Sequence, residues 1–234
     1  MRIIIFIAFC AILSSCNQKE NNTTVDSNTQ EIDEIKTQNL KTFELGFGFI
    51  ISAGQEEDFN DFKTFSFLRL TRNNEIIYTD SLTTEYEFGN KLFPLVVKTG
   101  ENDFELLLEI NNRPNKNYLK RFFIQEDKLI GEDKLPAFES KAIDIDNDGI
   151  KEYAGYWDYA QTWGENYELT AYNPIIYYTQ TNSGFEVDST LTENRNEKIY
   201  GKFYGFEFNE NLVQPKKVLE NFDNEIKLIT NKDE

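Results

Sequence analysis

The chain has no histidine among its 234 residues, and only two cysteines, Cys10 and Cys16. Without histidine there is no Ser-His-Asp or Cys-His catalysis, and most zinc sites are excluded as well. Basic residues are few: 24 Lys and Arg stand against 41 Asp and Glu, a formal charge of −17. Such a surface repels nucleic acid and anionic lipid headgroups, and it suits divalent cations or basic partners. After residue 15 no apolar run is long enough to cross a bilayer as a helix.

What is present begins with an address. Arg2 gives a short positive start and Ile3 to Leu13 form an apolar run, too short for a transmembrane helix, so residues 1–15 read as a signal peptide. Leu13-Ser14-Ser15-Cys16 resembles a bacterial lipobox. That resemblance implies cleavage before Cys16 and its acylation, palmitate included; the alternative is an ordinary secretory signal with an incidental cysteine. If Cys16 is lipidated, Cys10 leaves with the signal and no thiol remains for a disulfide or a nucleophile. Several acyl chains, each burying CH₂ groups at about 0.8 kcal/mol, hold a protein on a membrane without a spanning helix. The leader and the following Gln18-Lys19-Glu20 resemble Bacteroidota lipoproteins, which implies an outer-membrane anchor facing the cell surface or the periplasm.

Residues 16–40 are rich in Asn, Thr, Gln, Ser and acidic side chains, and so read as the lipidated cysteine followed by a flexible tether. From residue 41 to 234 strands rich in Phe, Tyr, Ile and Val are broken every eight to twelve residues by Asn, Asp and Gly. The expected fold is all-β or β-dominated with a minor α component, an antiparallel sandwich or open barrel. Segments 41–130 and 131–234 are its two packed halves in a variant reading. The expected strands include Phe43 to Phe49, a hairpin turning at Arg72-Asn73-Asn74, Tyr86 to Phe88, Leu92 to Lys98, Phe104 to Ile110 and Leu119 to Gln125. Further on they are Ala142 to Ile145, Glu152 to Trp157, Tyr167 to Tyr172, Ile175 to Thr179, Phe185 to Ser189 and Tyr200 to Phe208. Gln55-Glu56-Glu57-Asp58 reads as an acidic turn, and only Val218 to Ile229 as a helix. No internal repeat supports a full propeller.

The most informative stretch is Asp144-Ile145-Asp146-Asn147-Asp148-Gly149-Ile150-Lys151-Glu152. Carboxylates at alternate positions followed by a glycine let a backbone wrap a hard cation that takes six to eight oxygens. An EF-hand requires a bidentate Glu at the twelfth position, which here is Gly155. The segment instead resembles the loops of FG-GAP (integrin-type) and VCBS repeats, closed by Glu152. That resemblance implies Ca²⁺ held by Asp144, Asp146, Asp148 and Glu152 with the carbonyl of Ile150; the alternative is a solvated Asp/Asn/Gly turn without an ion. Together with Tyr172-Asn173-Pro174 and Gly184-Phe185, the region is also similar to single-loop envelope proteins that bind calcium and inhibit lysozyme-like enzymes.

Trp157, Tyr159 and Trp163 follow the loop among polar residues, and read either as a platform for a protein or glycan partner or as ordinary sheet packing. The expected function is a non-enzymatic calcium-binding envelope lipoprotein that binds a protein or glycan, with no catalytic residues and no nucleic-acid partner. Two alternatives are an inhibitor or immunity protein against a lysozyme-like cell-wall hydrolase, and a carboxylate-dependent glycan hydrolase.

Overall fold

Alternation of apolar side chains builds three cores, and one short strand faces two of them. The computed structural model describes residues 39–59, 62–89 and 92–231. The expected signal segment 1–15, Cys16 and all but the last two residues of the tether lie outside them. In chain order the strands are β1 (Lys41–Gly46), β2 (Phe49–Asp58), β3 (Lys63–Arg72), β4 (Glu75–Glu87), β5 (Leu95–Lys98), β6 (Asp103–Ile110), β7 (Tyr118–Gln125) and β8 (Lys128–Pro136), then β9 (Glu152–Gly155), β10 (Thr162–Trp163), β11 (Leu169–Tyr172), β12 (Ile176–Thr181), β13 (Gly184–Val187) and β14 (Asn209–Pro215). Helix α1 (Ser189–Tyr200) precedes β14, and α2 (Val218–Asn231) follows it.

The first eight strands form one antiparallel sheet in the order β1-β2-β3-β4-β6-β7-β8, with β5 paired to β6. Among the described residues β1 and β8 are its ends and do not pair with each other, so the β-dominated fold is neither a closed barrel nor a propeller. The β3–β4 hairpin turns at Asn73 and Asn74, both at positive φ (52° and 69°), the conformation that Asn tolerates best after glycine. Two smaller antiparallel sheets have the orders β13-β12-β9 and β10-β11-β14.

On β6, Phe104, Leu106, Leu108 and Ile110 point into a first core with Phe49, Ile51, Leu68 and Phe122. Leu107, on the opposite face, joins Leu119, Leu135 and Phe138 in a second core, against Ile176, Tyr178 and Phe185. Tyr177, one step along β12, faces the third core with Ile143, Ile145, Leu191, Ile199 and Phe222. A period of two on β12 thus joins the large sheet on one side to the helices on the other. The proposed division at 130/131 falls inside β8, and the second core draws on both segments.

Beside that second core runs a polar seam. Glu105 of β6 accepts from Phe185 N–H of β13 at 3.0 Å, and Arg121 of β7 donates to Phe185 C=O at 2.8 Å. Burial holds the Glu105 carboxyl above the ordinary value, and the Phe185 N–H and Arg121 offset this in part.

Four expectations are corrected. Phe43 to Phe49 is not one strand: Gly46, Phe47 and Gly48 all have positive φ (87°, 51° and 80°) and reverse the chain between β1 and β2, a conformation the two glycines make accessible. Gln55 to Asp58 is not a turn but the end of β2, where Glu56 pairs with Phe65 in register and forms ion pairs with Lys41 and Lys63. Ala142 to Ile145 forms only a single bridge, Ile143 to Glu152. Ser189 to Tyr200 is helix α1, and residues 201–208 are not strand.

That helix is held by its polar face. Its first turn is capped by Asp188, whose side chain accepts from Leu191 N–H. Thr192 and Asn196, four residues apart and so on one face, both bond the backbone of the β12 segment. Tyr177 N–H donates to Thr192 Oγ1 at 3.1 Å, and Ile175 N–H donates to Asn196 Oδ1 at 3.0 Å. Asn196 Nδ2 in turn donates to Ile175 C=O at 2.7 Å. Along the start of β12, α1 therefore does the hydrogen bonding that β13 does farther on.

Two outcomes are expected. Asn196→Leu leaves the buried Ile175 N–H and C=O unsatisfied and costs about 2–4 kcal/mol in urea unfolding. Because the folded-state pKa of Glu105 is raised, the native state holds that proton more tightly than the unfolded chain, and its contribution to stability falls as pH rises from the unfolded Glu value through the folded one. Glu105→Gln keeps an acceptor and removes the titration. Its stability relative to wild type therefore rises as pH climbs from the ordinary Glu value of 4.5 through the raised folded-state one; a flat difference in urea melts contradicts the assignment.

Candidate metal centre and neighbouring cavity

The acidic loop is pinned at both ends by backbone. Ile143 and Glu152 exchange two hydrogen bonds, N–H to C=O, at 3.0 and 2.9 Å, so the chain leaves and returns at one point. Between them Asn147 (φ 66°) and Gly149 (φ 92°) make the turn, which Asn and Gly permit at least cost. Within it, Asp148 N–H donates to Asp144 Oδ1 at 3.1 Å and Asp146 Oδ1 at 3.2 Å, and Gly149 N–H donates to Asp144 Oδ2 at 3.1 Å.

These bonds gather Asp144, Asp146 and Glu152, whose carboxylates each offer an oxygen within 4.8 Å of the others. The cluster can hold a divalent metal ion. Glu152 is 2% exposed and accepts from Ile145 N–H at 3.1 Å. Burial pushes its carboxyl above the usual range; the Ile145 N–H pulls it down, and the negative charges of Asp146, Asp148 and Asp144 push it up again. Asp148 stands next to the three without joining them, and its Oδ1 accepts from Ile150 N–H at 2.7 Å. Ile150 is exposed.

Behind the loop the Ile145 peptide is held from both sides. Its N–H serves Glu152, and its C=O accepts from Arg195 of α1 at 3.1 Å. Arg195 also pairs with Glu225 of α2 at 3.4 Å, and Glu225 accepts from Tyr177 O–H of β12 at 2.6 Å. In front, Asp146 and Asp148 border a cleft of about 530 Å³ whose other wall includes Asp188, Asn194 and Lys198.

A separate cavity of about 510 Å³ lies where the smallest sheet meets the helices, bordered by Tyr159, Trp163, Asn173 and Val213. Of the three aromatic residues singled out from the sequence, Tyr159 and Trp163 come together here and Trp157 does not line the cavity. Register puts Trp163, Ala171 and Val213 on one face of the β10-β11-β14 sheet, because Trp163 pairs with Leu169 and Ala171 pairs with Val213. Asn173, 4% exposed, was not singled out as a site residue, although Asn-Pro directly after a strand marks a chain turn. Arg195 gave no signal, since α1 itself was not expected.

The crowding at Glu152 gives a direct test. Glu152→Gln keeps an acceptor for Ile145 N–H and removes one of the crowded negative charges, so in EDTA it melts a few degrees higher than wild type; a lower melting temperature in EDTA contradicts the electrostatic account.

Compared with protein-family models, curated proteins and solved structures, the chain shows no significant match.

Proposed function

We propose that this protein is a non-enzymatic binding module of the bacterial outer membrane, anchored by acylated Cys16, whose open-barrel-like β domain is clipped by Ca²⁺ at Asp144, Asp146 and Glu152. One observation carries the reading: three carboxylates from one backbone-locked loop converge within 4.8 Å, with a buried Glu among them. Two oxygens on one Ca²⁺, each about 2.3–2.6 Å from it, stand no more than about 5 Å apart. The observed spacing therefore suits a single calcium ion, with Asp148 and the Ile150 carbonyl as the further ligands that the resemblance to FG-GAP loops implies. A bound ion offsets the mutual repulsion of the carboxylates and ties β9 to the loop, which makes it a structural clip. An enzyme would also need a defined acid-base pair at a substrate site. The anchor and the surface or periplasmic placement rest on the leader, Leu13 to Cys16.

The formal charge of −17 favours a second reading, an inhibitor of a basic lysozyme-like hydrolase, because opposite charge speeds association. Pull-down with such an enzyme, its loss in raised salt and the enzyme's inhibition would support that reading over the first.

For the clip itself, the double variant Asp144→Ala with Asp146→Ala is compared with wild type in EDTA and in millimolar CaCl₂. Wild type gains melting temperature on adding Ca²⁺ by mass action, about 2.7 kcal/mol at a hundredfold excess over Kd, and the variant does not. An equal response in both proteins overturns the ligand assignment.

A further inference from the structure

The cavity beside the smallest sheet is lined by negative charge that no cation answers. Asp158 and Glu210 border it, and no Lys or Arg among the described residues does. Asp158 Oδ1 accepts from Tyr159 N–H at 2.8 Å, and among the described residues neither carboxylate forms an ion pair. Arg113, within electrostatic reach of the Tyr159 hydroxyl, is already paired with Glu87 and is not part of the lining. The wall that carries Asp158 is held firmly. Asn173 Nδ2 donates to Asp158 C=O at 2.5 Å, and Tyr200 O–H donates to Asn173 C=O at 2.8 Å and accepts from Asn173 N–H at 3.4 Å. Asn173 Oδ1 has no partner but is buried, out of a ligand's reach, so Asn173 acts here as a positioning residue for the Asp158 turn.

The rest of the border is apolar and aromatic. Tyr159 is 51% exposed and Trp163 36%, with Val213 on the same face of the sheet as Trp163, and nothing among the described residues covers them. Each class of ligand meets these rings together with the two carboxylates. An anion is repelled. A neutral hydroxyl-rich ligand strips water from the carboxylates and brings no counter-charge, which desolvation opposes. A hard metal ion takes six to eight oxygens, more than two carboxylates on an aromatic border supply. An ammonium or guanidinium gains from both parts of the lining: the carboxylates pair with its charge, the ring faces attract it, and its methylene stem packs on the apolar side chains. The cavity volume of about 510 Å³ leaves room for such a side chain and the residues on either side of it. The formal charge of −17 steers basic proteins toward the surface that carries it.

We infer that this cavity receives a lysine or arginine side chain of a basic partner protein, with Asp158 and Glu210 as the counter-charge and Trp163 and Tyr159 as the aromatic faces beside it. This rests on reading the protein as a binding module and names the group its partner inserts. None of the loop carboxylates takes part, so it stands or falls apart from the calcium clip.

The test is isothermal titration of the full chain, kept in detergent, with the N-acetyl methylamides of lysine and arginine and of their neutral counterparts norleucine and citrulline. Maltotriose serves as a neutral hydrogen-bond donor. At least one of the two cations binds, its neutral counterpart binds tenfold more weakly or worse, and Trp163→Ala weakens the cation threefold or more. Asp158→Asn and Glu210→Gln each weaken it threefold or more. Glu101→Gln, which removes the same charge from the exposed turn between β5 and β6, at the opposite end of β6 from Arg113, leaves binding unchanged and so separates the cavity from the general field of the protein. Asp158→Asn keeps an acceptor for Tyr159 N–H, and circular dichroism confirms that it and the Trp163 variant fold. Equal binding of each cation and its neutral counterpart overturns the proposal, as does an equal loss in Glu101→Gln. Tighter binding of maltotriose than of either cation overturns it in favour of a neutral ligand and leaves the binding-module reading standing. Binding of neither cation at about 50 mM, far weaker than a millimolar contact, overturns it too, and a pull-down that also retains no envelope protein or glycan then removes the binding-module reading with it.

Discussion

The structure depends on β12 being buried on both faces. A strand in that position must be apolar at every step, and Ile175, Ile176, Tyr177 and Tyr178 are all nearly inaccessible. It must also find partners for its backbone on both edges, since a buried N–H or C=O left unpaired costs as much as a lost hydrogen bond. One edge has β9; the other has β13 only from Tyr178 onward. The gap before Tyr178 is filled by Thr192 and Asn196 of α1. That requirement explains why a helix with a polar buried face packs here, and why it follows β13 directly. Asp188 then serves twice, donating its backbone N–H to Tyr177 C=O at 2.9 Å and capping α1 with its side chain.

The acidic loop is attached to the same element. Glu152 opens β9, the neighbour of β12, and its carboxylate reaches back to the Ile145 N–H, while Arg195 and Glu225 connect the Ile145 carbonyl to Tyr177. Burial and the Glu225 carboxylate drive the Tyr177 hydroxyl well above its usual pKa, against the opposing pull of Arg195, so it remains a neutral donor to Glu225 at any physiological pH. A buried glutamate surrounded by aspartates is an arrangement that folding alone disfavours. Arg195 bonds the Ile145 carbonyl and pairs with Glu225, which ties the loop to α2.

Much of this was legible in the sequence where local chemistry decides the structure. The Asn73-Asn74 hairpin, the alternation on β6 and the gathering of Asp144, Asp146 and Glu152 follow from residue types and spacing, and the amphipathic pattern of α2 was visible over Val218 to Ile229. What stayed hidden was set by tertiary partners. In α1 the buried positions Thr192 and Asn196 are polar because they bond a strand backbone, so the apolar periodicity that reveals a helix is missing. At Gly46 to Gly48 alternating Phe and Gly imitated a strand, and only the pairing of Glu44 with Ile50 shows the reversal. The acidic run at Glu56 is accommodated in a strand because Lys41 and Lys63 of the neighbouring strands form ion pairs with Glu56, a neutralisation invisible until the strands are paired. Asn173 carried no signal of its own, because its significance is the Asp158 carbonyl that its amide holds.

Helix α1 also touches both sites, with Arg195 bonded to the loop and Tyr200, five residues on, bonded to Asn173. Whether an ion at the loop alters the cavity depends on what holds the helix. The Arg195 bond to Ile145 is one charged hydrogen bond, a contribution of about 1.5–3 kcal/mol. Leu191, Ile199 and Tyr200 are each at least nine-tenths buried, and burying each such side chain contributes about 1.5–3 kcal/mol, to which Thr192 and Asn196 add their bonds to the strand. The packing term exceeds the loop term severalfold. Tyr200, stacked edge-on against Tyr172 at 4.8 Å, therefore keeps Asn173 in place whether or not the loop is filled, and an ion held there would act on the stability of the fold rather than as a switch for the cavity.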